Sequence, residues 1–209
     1  MPLHPPLPVA LARVTSTFPP GEVWSWEPKF DGWRGLIFRT PVGVAIQARS
    51  GRLITASFPD LVTAALGLPA STVIDGEIVV WHRERVDFGA VQRRALANPR
   101  RAFALSRVLP ASFAAFDVLE LEGVDMRPRP YRERRAALLE LLADVGPPIQ
   151  PVPASTARED GRRWWDTRGV GIEGVMVKHL EAPYRGGVRS WRKVKHGEPR
   201  RAGIVSPKV

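Results

Sequence analysis

The 209-residue chain contains no cysteine. That excludes disulfides and thiolate metal sites, and it fits a reducing cytoplasm. Four histidines are present, His4, His82, His179 and His196, and no two stand at metal-ligand spacing, which argues against zinc. No apolar run approaches the roughly 20 residues of a membrane-spanning helix. The opening Met1-Pro2-Leu3-His4-Pro5-Pro6 lacks the basic and apolar regions of a signal peptide. Repeats and low-complexity blocks are also missing. These absences describe a protein of the cytoplasm with no membrane partner.

Lysine is scarce. Of 31 basic residues only five are lysine: Lys29, Lys178, Lys193, Lys195 and Lys208. The net charge of +10 suggests a polyanionic partner, nucleic acid before a membrane surface, although an arginine-favouring coding bias accounts for part of the excess. The lysines are more informative than the total. Arginine keeps its proton near neutral pH, whereas lysine can give it up and act as an amine nucleophile. Four of the five fall in three short segments: Glu27-Pro28-Lys29-Phe30-Asp31-Gly32-Trp33-Arg34, Glu173-Gly174-Val175-Met176-Val177-Lys178 and Trp191-Arg192-Lys193-Val194-Lys195.

Residues 1–22 are proline-rich and read as an extended arm that packs onto a domain. Trp33–Arg39 and Val42–Arg49 suggest a hairpin. Thr72–Trp81 reads as a strand pair or a strand bent at Gly76, and Phe113–Leu121, Ile149–Val152, Val175–Leu180 and Trp191–His196 read as further extended segments. Helical spacing marks Pro59–Leu66, Phe88–Leu96 with a basic face, Arg158–Thr167, and most clearly Tyr131–Ala143, where Ala137, Leu138, Leu141 and Leu142 form a stripe. Strands and helices alternate without a βαβ rhythm, which predicts an α+β fold with largely antiparallel sheets.

Strand alternation puts Trp191, Lys193 and Lys195 on one face. Two stacked lysines repel unless solvated or bridged by an anion, and a phosphate would supply that anion. With the phosphate bound, the stacked lysines would also bring a cationic environment close to Lys29, which favours the free amine. Asp75-Gly76-Glu77 and Glu173-Gly174 set carboxylates beside glycine, where backbone can approach a ligand closely; Mg²⁺ commonly joins such carboxylates to phosphate oxygens. Each segment has a plainer reading. Lys-x-Asp-Gly also suits a turn, with Asp31 as its hydrogen-bonding residue. The glutamates also suit solvated strand ends, and Phe116 a core position.

Taken in order, these segments resemble the covalent nucleotidyltransferases, the DNA ligase and mRNA capping enzyme superfamily. Lys29–Arg34 is similar to motif I, Phe116–Leu119 to motif III, Arg132–Leu138 to motif IIIa, Glu173–Lys178 to motif IV and Trp191–Lys195 to motif V. Arg49-Ser50-Gly51, Phe58-Pro59-Asp60-Leu61 and Asp75-Gly76-Glu77 further resemble ATP-dependent DNA ligases, in particular small bacterial ones. The resemblance implies two largely antiparallel sheets flanked by helices, with ATP and Mg²⁺ or Mn²⁺ bound between them. It implies that Lys29 attacks ATP to form lysyl-AMP, that AMP passes to the 5′-phosphate of nicked double-stranded DNA, and that the nick is then sealed. Lys29, Asp31, Lys193 and Lys195 would be the catalytic set. Arg34 and Glu77 would contact the ribose, Phe116 the adenine face and Glu27 the adenine edge. Lys193 and Lys195 would bind the α-phosphate with Lys178 close by, and Arg49 the AMP phosphate or the 5′-phosphate of the nick. Glu173 and Glu77 would hold the metal.

Two alternatives stay open: an RNA ligase or guanylyltransferase of the same superfamily, and a non-catalytic nucleic-acid-binding relative. The ligase-like Arg49–Leu61 and Asp75–Glu77 segments weigh against the first, and the retained Lys29 against the second. By the resemblance, residues 1–22 are an arm, 23–196 the nucleotidyltransferase domain, and 197–209 a basic tail where the relatives' OB-fold domain with motif VI begins. The expectation is a missing OB-fold domain, a separate OB-fold or DNA-repair protein as candidate partner, and a nucleoid-associated location.

Overall fold

The computed structural model describes residues 2–167 and 170–195. The basic tail 197–209 and the end of the expected last strand, His196, lie outside the described residues. In chain order the strands are β1 (Ala12–Thr15), β2 (Trp24–Phe30), β3 (Trp33–Thr40), β4 (Gly43–Ala48), β5 (Thr72–His82), β6 (Arg85–Val86), β7 (Ala111–Leu121), β8 (Val124–Asp125), β9 (Ile149–Pro151), β10 (Ile172–His179) and β11 (Trp191–Lys195). The helices are α1 (Pro59–Ala65), α2 (Phe88–Ala95), α3 (Pro99–Val108), α4 (Tyr131–Leu142) and α5 (Arg158–Asp166).

The strands form a four-stranded sheet in the order β1-β11-β10-β2 and a seven-stranded sheet along β4-β3-β5-β7-β8, with β6 on β5 and β9 on β7. Among the described residues only β1–β11 and β7–β9 pair in parallel, so the expected α+β fold with largely antiparallel sheets is what the chain adopts.

Strand parity builds the layers. Leu36-Ile37-Phe38 in β3 is apolar throughout because both faces of the larger sheet are covered. Ile37 joins Ile46, Ile74, Ile78 and Val118 on the outer face, against Leu61 of α1, Val91 of α2 and Leu138 of α4. Leu36 and Phe38 look the other way, toward the smaller sheet, and pack with Val9, Ala10, Val73, Leu119, Tyr184 and Trp191. The smaller sheet's far side carries Trp24, Trp26, Val175, Val177 and Val194, with Phe18 and the α5 residues Trp164 and Trp165 against them. Full burial of a side chain such as Leu138 stabilises the fold by about 1.5–3 kcal/mol.

Charged side chains fix the helices on this frame. Arg94 is buried, not part of a basic face: it grips both carboxylate oxygens of Asp60 in α1, at 2.6 and 3.0 Å, and the carbonyls of Ser57 and Leu109. Arg134 in α4 grips Asp117 of β7 the same way, at 2.7 and 2.9 Å. Breaking one side of such a buried pair typically costs about 3–5 kcal/mol. Residues 72–82 form one continuous strand rather than a pair. β1, β2 and α3 are elements the sequence pattern did not announce.

Candidate active site

A cleft opens between the two sheets. In the smaller sheet Gly174 of β10 lies directly opposite Lys29 of β2 and Lys195 of β11, while Met176 lies opposite Glu27 and Lys193. Directly opposed residues share a face. The three separate segments singled out in the sequence therefore become three neighbouring strands, and Glu27, Lys29, Met176, Trp191 and Lys193 line the cleft. The expected shared face of Trp191, Lys193 and Lys195 is realised.

Glu173 reaches the lysines only because β10 is irregular. Ile172 pairs with Phe30 and Gly174 with Lys29, so β10 advances two residues where β2 advances one. The extra residue is Glu173, and a bulge of this kind re-aims a side chain. One Glu173 oxygen accepts a hydrogen bond from Lys29 Nζ, and the other lies 3.0 Å from Lys195 Nζ. Burial alone would raise the Glu173 pKa, yet the hydrogen bonds and charges of Lys29 and Lys195 outweigh it and hold it below the ordinary value. Asp31, in the turn after β2, is shifted up by burial and by the Glu173 charge. Lys193 is shifted down by burial and by Lys195, Lys29 and Arg49 around it. Three lysines and Arg49 outnumber the carboxylates Glu173, Asp31 and Glu77 here and leave this end of the cleft positive, as phosphate binding requires.

Gly174 has φ of +150°, and a Cβ there would lie 2.2 Å from the Val194 carbonyl oxygen. Glycine is what lets β10 pass between the two lysine strands.

The opposite wall belongs to the larger sheet. Arg34 donates to both oxygens of Asp75, at 3.0 and 2.6 Å, and to the Ala10 carbonyl at 2.7 Å. The Tyr184 hydroxyl donates to Asp75 at 2.6 Å and accepts from the Ala10 amide at 2.9 Å. Asp75, Tyr184 and Ala10 thus hold Arg34 in place, and only its leftover N–H groups can serve a ligand. Burial opposes the Arg34 charge, but Asp75 more than compensates and raises its pKa. Arg34 faces Glu77 across the β3–β5 pairing. Burial pushes the Glu77 carboxyl up to about 7 despite Lys29 and Arg34 nearby. Asp75 and Tyr184 carry no sequence signal of this tethering role, because the loop bearing Tyr184 meets Arg34 only in the folded chain.

Glu27 and Lys178 close the inner end. Glu27 is 2% exposed, and one of its oxygens lies 2.9 Å from Lys178 Nζ. The other accepts a hydrogen bond from the Tyr131 hydroxyl. Lys178 Nζ also donates to the Phe116 carbonyl at 3.0 Å and sits 4.5 Å from the ring centres of both Phe116 and Trp191. Burial lowers its pKa. The sequence reading placed Lys178 beside the phosphate lysines. It lines the same cleft as Lys29 and Lys193, with its ammonium held by Glu27 and the Phe116 carbonyl.

Among the described residues no group of three or more His, Cys, Asp or Glu could hold a metal ion by itself. Glu77 and Glu173 both interact with Lys29. Because Mg²⁺ usually takes one or two carboxylates plus phosphate oxygens, the pair suits a metal that arrives with a polyphosphate.

Fold and cleft together define an adenylation domain of the nucleotidyltransferase type. The ATP dependent DNA ligase domain model matches residues 6–195, and the chain belongs to that family. It is 41% identical over 198 residues to DNA ligase C2 of Mycolicibacterium smegmatis, covering 94% of this chain and 55% of the relative. It is 38% identical over 202 residues to DNA ligase C of Mycobacterium tuberculosis, covering 94% and 56%. Among solved structures it is similar to a mycobacterial DNA ligase D complexed with ATP and MES, with a TM-score of 0.66 and 31% identity over 89% of this chain and 60% of the other. The chain thus spans a little over half the length of these curated relatives. No helix among the described residues is long and apolar enough to cross a membrane.

Proposed function

We propose that the chain carries out the ATP-dependent chemistry of DNA joining, with Lys29 as the covalent nucleophile. Lys29 Nζ attacks the α-phosphorus of ATP. The nitrogen–phosphorus bond forms as the phosphorus–oxygen bond to pyrophosphate breaks, and the amine proton is released to solvent. Glu173 orients Lys29, and Lys193, Lys195 and Arg49 balance the charge on the phosphate; work of this kind depends on placement and charge stabilisation. Asp31 lies in the turn that follows the nucleophile, its backbone amide donating to the Gly171 carbonyl. Arg34 and Glu77 lie where a ribose would pass, Phe116 offers a ring for the base, and Glu27 offers an acceptor for the adenine amino group. Glu77 and Glu173 would hold Mg²⁺ or Mn²⁺ arriving with the polyphosphate, and the ion would supply further charge neutralisation.

AMP then moves from Lys29 to the 5′-phosphate of nicked double-stranded DNA, and the 3′-hydroxyl displaces it. Such a reaction belongs to DNA repair, recombination or replication. The observation that carries the reading is the row Lys29–Gly174–Lys195, with Glu173 bulged between the two lysines. Its test uses two labels. Incubation with α-labelled ATP and Mg²⁺ should leave label on the denatured chain, and γ-labelled ATP should leave none. Label from the γ-position would identify phosphorylation and overturn the proposal.

A further inference from the structure

Glu27 is an unusual group to find at the inner end of a cleft. It is almost fully buried, and both its oxygens already accept a hydrogen bond, one from Tyr131 and one from Lys178. Each carboxylate oxygen has two lone-pair directions, so one acceptor site per oxygen remains. Tyr131 is the first residue of α4 and is 1% exposed. One turn further on, Arg134 is tied to Asp117 and to the carbonyls of Arg129 and Ala182, which fixes the start of the helix. The Tyr131 ring also lies under Lys178, with Nζ 4.7 Å from its centre. Burial and the Glu27 charge raise the Tyr131 pKa well above that of a free phenol, so the hydroxyl stays a donor throughout the neutral range.

We propose that Tyr131 is a positioning residue for nucleotide choice. By donating to Glu27 alongside Lys178, it holds the carboxylate as an acceptor-only group and makes the cleft select a purine with an amino group at position six over one with an oxo group. The inference rests on the adenylate-pocket reading above. An amino group at that position donates to the free lone pairs of Glu27. A six-oxo group presents a second acceptor to a carboxylate, and in a desolvated site two facing acceptors repel. Without the Tyr131 hydroxyl, Glu27 loses one of its two fixed partners and can turn, which relaxes the discrimination.

The experiment is a tryptophan-fluorescence titration of the full chain with ATP, ITP and the triphosphate of unsubstituted purine riboside, run on the wild type and on Tyr131→Phe. Thermal melting of both confirms folding. The wild type should bind ATP more tightly than the unsubstituted purine, and ITP least. In Tyr131→Phe the ATP-to-ITP preference should fall by about tenfold, the scale of one hydrogen bond to a charged group. Tyr131→His, which retains a ring N–H donor, should recover part of it. A variant that weakens ATP and ITP equally, or leaves their ratio unchanged, overturns the role of Tyr131 while leaving the pocket reading intact. In the wild type alone, ITP binding as well as the unsubstituted purine overturns the acceptor-only carboxylate even if no variant folds. A wild-type chain that binds none of the three overturns the pocket reading, and this inference with it.

Discussion

Glu77 shows how burial changes the behaviour of a single residue. Its folded pKa of about 7 lies above the ordinary glutamate value of 4.5. Between those two values the unfolded chain releases a proton that the folded chain keeps, so stability falls as pH rises through this window and stays lower above it. A shift of this size is worth at most about 3 kcal/mol. Glu77→Gln has no proton to lose. Its advantage over the wild type in urea or thermal melts should be small near pH 5 and should grow by pH 8. Parallel pH profiles for the two proteins would show that Glu77 is ionised with no penalty. At this scale the sequence was most readable for the lysines, whose rarity singled out Lys29, Lys193 and Lys195. It was least readable for Lys178. Its residue type matched a phosphate ligand, but only the folded chain reveals that Glu27 and the Phe116 carbonyl already occupy its ammonium.

The elements differ in legibility for physical reasons. α4 could be read because a periodic apolar stripe is a local signal, and Leu138 and Leu142 are indeed buried. β1 could not, because prolines surround it and its partner β11 lies almost at the other end of the chain. α3 buries only Ala102, so it left no stripe to detect. β2 holds Pro28 and runs into the Asp31-Gly32 turn, and the turn was the only local signal the sequence offered there. The most consequential omission was the bulge in β10. Plain alternation would turn Glu173 away from Met176 and Lys178, and therefore away from the cleft. Gly174→Ala tests this directly. The new methyl group would collide with the Val194 carbonyl, β10 would have to shift, and Glu173 would leave the lysines. Stability should drop by about 1–3 kcal/mol, and label transfer from α-labelled ATP should fall by more than the melting temperature alone explains. A variant with wild-type labelling would mean that the bulge is incidental.

Across the whole molecule, the site depends on two sheets being held together at their shared face. Arg34–Asp75 and the Ala10–Tyr184 contact join the arm, the larger sheet and the loop before β11. Arg134–Asp117 fixes α4 beneath the inner end. This frame brings residues from opposite ends of the sequence into one row, Lys29–Gly174–Lys195, and the account stands or falls on what Lys29 does there. The decisive measurement is peptide mapping by mass spectrometry after incubation with ATP and Mg²⁺, on the wild type and on Lys29→Arg. That substitution keeps the charge but removes the amine that can give up its proton. The predicted result is a single AMP-modified peptide containing Lys29, absent from a Lys29→Arg protein that melts like the wild type. AMP found on Lys178, Lys193 or Lys195 of the wild type, or undiminished modification of Lys29→Arg, would contradict the account.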